Sequence, residues 1–210
     1  MIKAIVCDDH PIFREGLKKI VGQSRDITIA DEVSDGAALM EKARGRRFDL
    51  VILDISLPGA NGLDILKDLR RAGHEMPVLI LSMHPEEQYA VRALRAGASG
   101  YVAKASVPEE LLAAIRKVAA GRKYVSPSLA EQLASELDGS TEKPPHEKLS
   151  DREFQIMRLI ASGRKVKEIA GDLHLSPATV GTYRARILAK LNLQSNAELI
   201  HYTIENKLLE

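Results

Sequence analysis

Five short apolar runs, Ala4–Cys7, Ile27–Ala30, Leu50–Leu53, Val78–Leu81 and Tyr101–Val102, punctuate the first part of the chain. Three of them lack polar alternation, as expected of strands buried on both faces of a parallel sheet. Helical spacing fills the intervals. Phe13, Leu17, Ile20 and Val21 form one apolar stripe, and Leu63, Leu66 and Leu69 another. Ala90, Val91 and Leu94 form a third, and Leu111, Leu112, Ile115 and Val118 a fourth. Strand and helix in alternation predict a five-stranded, parallel, doubly wound α/β domain. Ser106 to Glu109 reads as a capping box opening the last of its helices, with Pro108 inside the helix start.

The pattern changes after Tyr124. Ser126–Leu137 suits a short helix, and 138–148 is polar with two prolines and no core residue, a linker by composition. From Leu149 no strand signal remains. A capping box at Ser150 and Glu153, a glycine stop at Gly163, a short helix over Val166–Leu173, a Ser176-Pro177 start and a further box at Ser195 and Glu198 predict four short helices. The expected organisation is an α/β domain over 1–124, a partly helical linker over 125–148, and a small all-α domain over 149–210.

Bulk properties narrow the classes. Of 210 residues, 45% are apolar and 28% charged, a globular balance. No apolar run approaches the roughly 20 residues of a membrane span, so no membrane association is expected. No secretory signal is visible, and the lone cysteine, Cys7, reads as a core residue in a reducing compartment, so a cytoplasmic protein is expected. Net charge is +1, but residues 152–190 hold eight Lys/Arg against three Asp/Glu, a basic bias compatible with nucleic acid.

In a parallel α/β sheet, ligands bind beyond the carboxyl ends of the strands. The residues there are Asp8 and Asp9, Asp54, Ser82 and, just past the fifth strand, Lys104. Three carboxylates in one place suit a hard cation such as Mg²⁺. Asp54, ending the central run, is placed to act as a nucleophile toward a phosphoryl group, with Lys104 neutralising developing charge. His10, preceding Pro11, reads as a surface residue, with a place beside the site as the alternative. His84-Pro85 reads as a helix start, with acidic residues following to complement the helix dipole.

The segment Asp8-Asp9, LDISLPGANG over 53–62, LSMH over 81–84 and AGASGYVAK over 96–104 together resemble the receiver domain of two-component response regulators, from about Lys3 to Lys123. The resemblance implies that Asp54 accepts a phosphoryl group from a sensor histidine kinase. It implies that Asp9, Asp54 and the Ser56 carbonyl hold Mg²⁺, with Asp8 acting through water. Ser82 and Tyr101 would be the switch pair, and Lys104 would pair with the phosphate. Where many receivers have proline after this lysine, Ala105 stands here, leaving the isomer of the Lys104–Ala105 bond open.

Farther on, a short helix, a tight turn and a longer helix follow one another in IAGDLHLSPATVGTYRARILAKLNL, the layout of a helix-turn-helix. Val180, Ile187, Leu188 and Leu191 form its apolar stripe. Thr179, Thr182, Tyr183, Arg186 and Lys190 lie on the opposite surface, and Arg184 and Arg186 are candidates for phosphate or guanine contact. Lys165 and Lys167 suit phosphate or solvent. With LSDREFQIMRLIASG before it, this stretch resembles the LuxR/FixJ-type DNA-binding domain from Leu149 to about Leu208. The two domains together resemble the NarL/FixJ response regulators, and TVGTYRARI resembles the GacA/BvgA branch. The implied protein is a transcription factor that binds double-stranded DNA at paired half-sites as a homodimer when phosphorylated. Its fourth helix would carry dimer contacts at Ala197, Ile200 and Ile204. Gly181 and Tyr183 depart from the Lys and His common at these places.

Overall fold

The computed structural model describes residues 1–45, 48–137 and 144–209. The chain divides into two units, Met1–Ser135 and Glu136–Glu210. The first is a five-stranded parallel sheet in the order β2-β1-β3-β4-β5, built from β1 (Ile2–Cys7), β2 (Ile27–Val33), β3 (Leu50–Asp54), β4 (Val78–Ser82) and β5 (Gly100–Ala103). The helices between them are α1 (Pro11–Gly22), α2 (Gly36–Gly45), α3 (Gly62–Arg71) and α4 (Glu86–Arg95), and α5 (Pro108–Ala119) follows β5.

Every residue of β3 and β4 is buried, which explains their unbroken apolar sequence. β2 is an edge strand. It runs three residues past its apolar run because Asp31 and Glu32 are tied outward, Asp31 to Lys42 and Glu32 to Lys18 and Arg14. The apolar spacing gives no clear stripe for α2, which buries only Leu39 and Ala43. One core joins sheet and helices through Val6, Leu17, Ile52, Leu79, Leu81, Val102 and Ile115.

The capping box at Ser106 does not form. The N-cap is Val107 without a side-chain bond, Pro108 occupies the first helical turn, and Glu109 and Glu110 complement the dipole instead. No peptide bond among the described residues is cis, so Lys104–Ala105 is trans. Beyond α5, Tyr124 bridges to Gly100 on β5, where a Cβ would stand 2.9 Å from that of Tyr124. The hydroxyls of Ser126 and Ser128 then donate to Glu86 at the start of α4, and α6 (Pro127–Leu137) begins there. Of the polar stretch expected as linker, 138–143 lie outside the described residues. Pro145–Lys148 is one turn of 3₁₀ helix.

The second unit holds α7 (Asp151–Ala161), α8 (Val166–Asp172), α9 (Pro177–Leu191) and α10 (Asn196–Glu205). The caps match the sequence closely. Ser150 and Glu153 form a complete capping box. Ser176 accepts from the Thr179 N–H, and Ser195 from that of Glu198. The Glu198 carboxylate departs from the box by accepting from Gln194 N–H, one residue earlier than the cap. Gly163 follows α7 with positive φ, as its stop requires. Phe154, Ile156, Met157, Ile169, Val180, Ile187 and Leu199 form the core. Buried arginines lock its edges: Arg152 donates to the Leu173 carbonyl and to Gln155, and Arg158 to the Leu208 carbonyl.

Candidate functional site

Strand register assembles the acidic pocket. Cys7 pairs with Leu53, Asp54 with Leu81, and Ser82 with Ala103. Asp8, Asp54, Ser82 and Lys104 therefore share one edge of the sheet. The neighbouring loop closes over Asp54. Ser56 bridges to Asn61, whose side chain caps α3 by accepting from Leu63 N–H. Gly62 packs so closely that a Cβ there would lie 2.1 Å from the Asp54 carbonyl oxygen.

Lys104 spans two carboxylates, with its Nζ 2.6 Å from Asp8 and 2.7 Å from Asp54. All three side chains are nearly sealed from solvent, at 3%, 3% and 1% exposure for Lys104, Asp8 and Asp54. The other Asp54 oxygen accepts from Ser56 N–H at 3.2 Å. Burial pushes the Asp54 carboxyl up, and the Asp8 charge adds to this. Lys104 pulls the other way without cancelling the rise. Burial, with nearby carboxylates, also pushes the Cys7 thiol up, so Cys7 is a neutral core residue.

His10 is exposed and also lies beside the site. Its imidazole is 59% exposed, yet it belongs to the pocket, with Nδ1 3.0 Å from Asp9, 3.3 Å from Asp8 and 4.0 Å from Asp54. The cause is local. The His10 N–H donates to the Asp8 carboxylate at 2.8 Å, folding the turn so that the ring lies over the acids. Single ligand atoms of Asp8, Asp9, His10 and Asp54 all lie within 4.8 Å of one another. Asp9 Oδ1 is buried, with His10 Nδ1 at 3.0 Å as its neighbour. Three carboxylates gathered beside one ammonium form a donor set that fits a divalent cation.

The switch candidates meet at one backbone unit. Ser82 is fully buried and its Oγ accepts from His84 N–H at 3.1 Å. Tyr101 is turned inward and donates to the His84 carbonyl at 2.7 Å. The His84 ring stacks on Tyr89, with centroids 4.9 Å apart, and its Nε2 lies 3.4 Å from the Ser56 hydroxyl. Residue spacing does not single out His84 as part of this pocket, and it leaves His10 beside the pocket as an alternative. The turn geometry brings both in.

The candidate DNA-reading side chains on α9 divide. Arg186 and Thr182 are exposed, and Arg186 has no partner among the described residues. Thr182 Oγ1 donates to Ala178, and Thr179 shares a hydrogen bond with Ser176. Tyr183 is half-buried. Arg184 instead donates to the Asn196 side chain at 2.6 Å, and Lys190 pairs with Glu153 at 2.6 Å. Both cations thus brace α9 against neighbouring helices. On α10, Leu199 and Thr203 face inward, Ala197 is exposed, Ile200 is half-buried, and Ile204 is 61% exposed.

Comparison with known proteins decides the family. The chain matches the response regulator receiver domain over residues 4–116 and the LuxR family of bacterial regulatory proteins over 147–203. It is 35% identical over 209 residues to the response regulator UvrY of Escherichia coli K12, covering 99% of this chain and 96% of that protein. The chain is a response regulator of the NarL/FixJ family. It is also 35% identical to the response regulator GacA of Pseudomonas aeruginosa, over all of this chain and 99% of GacA. Among solved structures, the response regulator ChrA of a heme-sensing two-component system matches over 99% of this chain and 98% of its own. Its identity is 31% and its TM-score 0.53. RcsB of Salmonella enterica serovar Typhimurium, bound to the promoter rprA with a phosphomimetic, matches with TM-score 0.65 at 25% identity, over 96% and 98% of the two chains. This regulator is accordingly a DNA-binding transcription regulator of a two-component system, with a receiver domain and a LuxR-type domain, and not a metabolic enzyme. No described helix is long and apolar enough to cross a membrane.

Proposed function

We propose that this regulator works in the cytoplasm as a switch thrown by phosphorylation of Asp54. The observation that carries the reading is Lys104 held between Asp8 and Asp54 at 2.6 and 2.7 Å, with the Asp9 carboxylate in the same cluster. An Asp54 carboxylate oxygen attacks the phosphorus of a phosphohistidine on a sensor kinase. A P–O bond forms, the P–N bond breaks and the imidazole leaves. Asp9, Asp54 and the Ser56 backbone carbonyl would hold Mg²⁺, with Asp8 acting through water. Bound there, the ion would neutralise charge on the phosphoryl oxygens. Lys104 supplies the second positive group, and its present contact with Asp54 keeps it at the reacting oxygen.

Ser82 and Tyr101 then report the change, Ser82 by turning its hydroxyl to the phosphoryl group and Tyr101 from its inward position behind it. The outcome is a homodimer that reads paired half-sites in double-stranded DNA. Arg186 and Thr182 are the groups most open to DNA, with Thr179 and Tyr183 flanking them. Arg184 and Lys190 reach it by leaving Asn196 and Glu153. Ala197, Ile200 and Ile204 supply an apolar strip on α10 for the partner copy. The expected domain bounds are 1–124 and 149–210, with α6 in the connection. Acetyl phosphate with Mg²⁺ is expected to raise dimerisation or DNA affinity of the wild type and to leave Asp54→Ala unchanged. An equal response of the two would sink the reading.

A further inference from the structure

Lys104 has a third neighbour besides its two carboxylates. Its Nζ stands 4.4 Å from the centroid of the Phe13 ring. A buried ammonium has three N–H groups and little water, so whatever lines its remaining side decides where it rests. Here that side is the face of an aromatic ring, which carries negative quadrupole density toward a cation. Phe13 is well fixed for this task. It lies in the first turn of α1, four residues after Asp9, and packs against the main core of the receiver. Pro11 opens that helix, so the same short turn sets Asp8, Asp9 and the ring.

We infer that Phe13 is a positioning residue for phosphoryl transfer, holding the Lys104 ammonium against Asp54. This rests on the reading of Asp54 as phosphoacceptor. Lysine is a point charge on a flexible four-carbon stem, and with Asp8 at 2.6 Å and Asp54 at 2.7 Å the two carboxylates alone do not fix which of them it keeps. The ring gives it a third contact that survives when the charge on Asp54 changes. As Asp54 becomes a phosphoaspartate, Lys104 shifts toward the phosphoryl oxygens across the ring face without losing that contact. An aliphatic side chain of similar volume fills the space but offers no such surface.

The test measures beryllofluoride binding to the full chain with saturating Mg²⁺, by titration calorimetry. Phe13→Leu and Phe13→Met are expected to weaken binding about tenfold, the scale of a desolvated cation–ring contact. Phe13→Trp is expected to stay within about twofold of wild type. In a Lys104→Ala background the same substitutions at Phe13 are expected to have no further effect, a readout that a packing role would not give. Full binding by Phe13→Leu and Phe13→Met overturns the inference, as does an equal loss with Lys104 absent. If the wild type and Asp54→Ala alike bind no beryllofluoride, the phosphoacceptor reading itself fails and the inference falls with it.

Discussion

Glu153 opens α7 and also anchors α9. Its carboxylate accepts the Ser150 N–H at 2.7 Å and the Lys190 ammonium at 2.6 Å, with the carboxylate almost wholly buried. Replacing Glu153 by Ala removes half of the capping box, worth about 1 kcal/mol. It also removes a charge-assisted bond to Lys190, worth roughly 1 kcal/mol once the lysine's partial exposure is discounted. The second unit should therefore lose about 2 kcal/mol, and Glu153→Gln about half of that, because the amide oxygen still accepts from Ser150. The pH dependence has a definite sign. Burial pushes this carboxyl up, but Lys190 and Ser150 outweigh it and hold it below the usual glutamate range. The stabilisation is complete above the unfolded value near 4.3. It is lost as pH falls through the lower folded value. Hydrogen exchange of the α7 and α9 amides, followed from pH 7 down to about 3, should show wild type protected over Glu153→Gln at the upper end and the two converging at the lower. A constant gap across that range would refute the reasoning.

Other substitutions test the site and its supports. Gly62→Ala drives a Cβ into the Asp54 carbonyl at 2.1 Å and the Ile55 Cα at 2.8 Å, so receiver stability by denaturant unfolding should drop by more than about 3 kcal/mol. Arg186→Ala should lower the slope of log DNA affinity against log salt by about 0.9, since Arg186 is exposed. Glu86→Ala frees Ser126 and Ser128, so limited proteolysis around residues 124–130 should quicken while the sheet stays protected.

Much of this was legible because it rests on periodicity and on caps. Val51 to Leu53 and Val78 to Leu81 carry no polar residue, so their burial on two faces follows directly, and parallel strands place their carboxyl ends together. Ser150, Ser176 and Ser195 cap as their spacing predicts because an N-cap needs only one side-chain oxygen and three residues of helix. Ser106 failed the same pattern because Pro108 had already fixed the start of α5 one residue later. What stayed hidden depends on turns and long side chains. His10 and His84 enter the pocket through the folding of two short loops. Lys190 lies on the outward face by spacing and Arg184 is a contact candidate, yet each is long enough to reach a neighbouring helix. A helical wheel places a Cβ and says nothing of where the rest of a long side chain ends.

The His84 backbone gives the proposed switch its energetic shape. Its N–H is held by Ser82 and its carbonyl by Tyr101, so one peptide segment connects both side chains. Turning Ser82 toward a phosphoryl group takes its hydroxyl from the His84 N–H, and leaving that donor unpaired costs about 1–3 kcal/mol where water is excluded. A charge-assisted hydrogen bond to the phosphoryl oxygen offsets a similar amount. The balance is close, and a close balance is what lets a single covalent change move a population rather than merely decorate a rigid fold. Tyr101 needs no such exchange, since it is already inside and bonded to the carbonyl. In the proposed switch the signal would run through the loop at His84 and the start of α4. There Glu86 holds the two serines that lead into α6, so under this proposal a shift of that loop would reach the segment that follows the receiver.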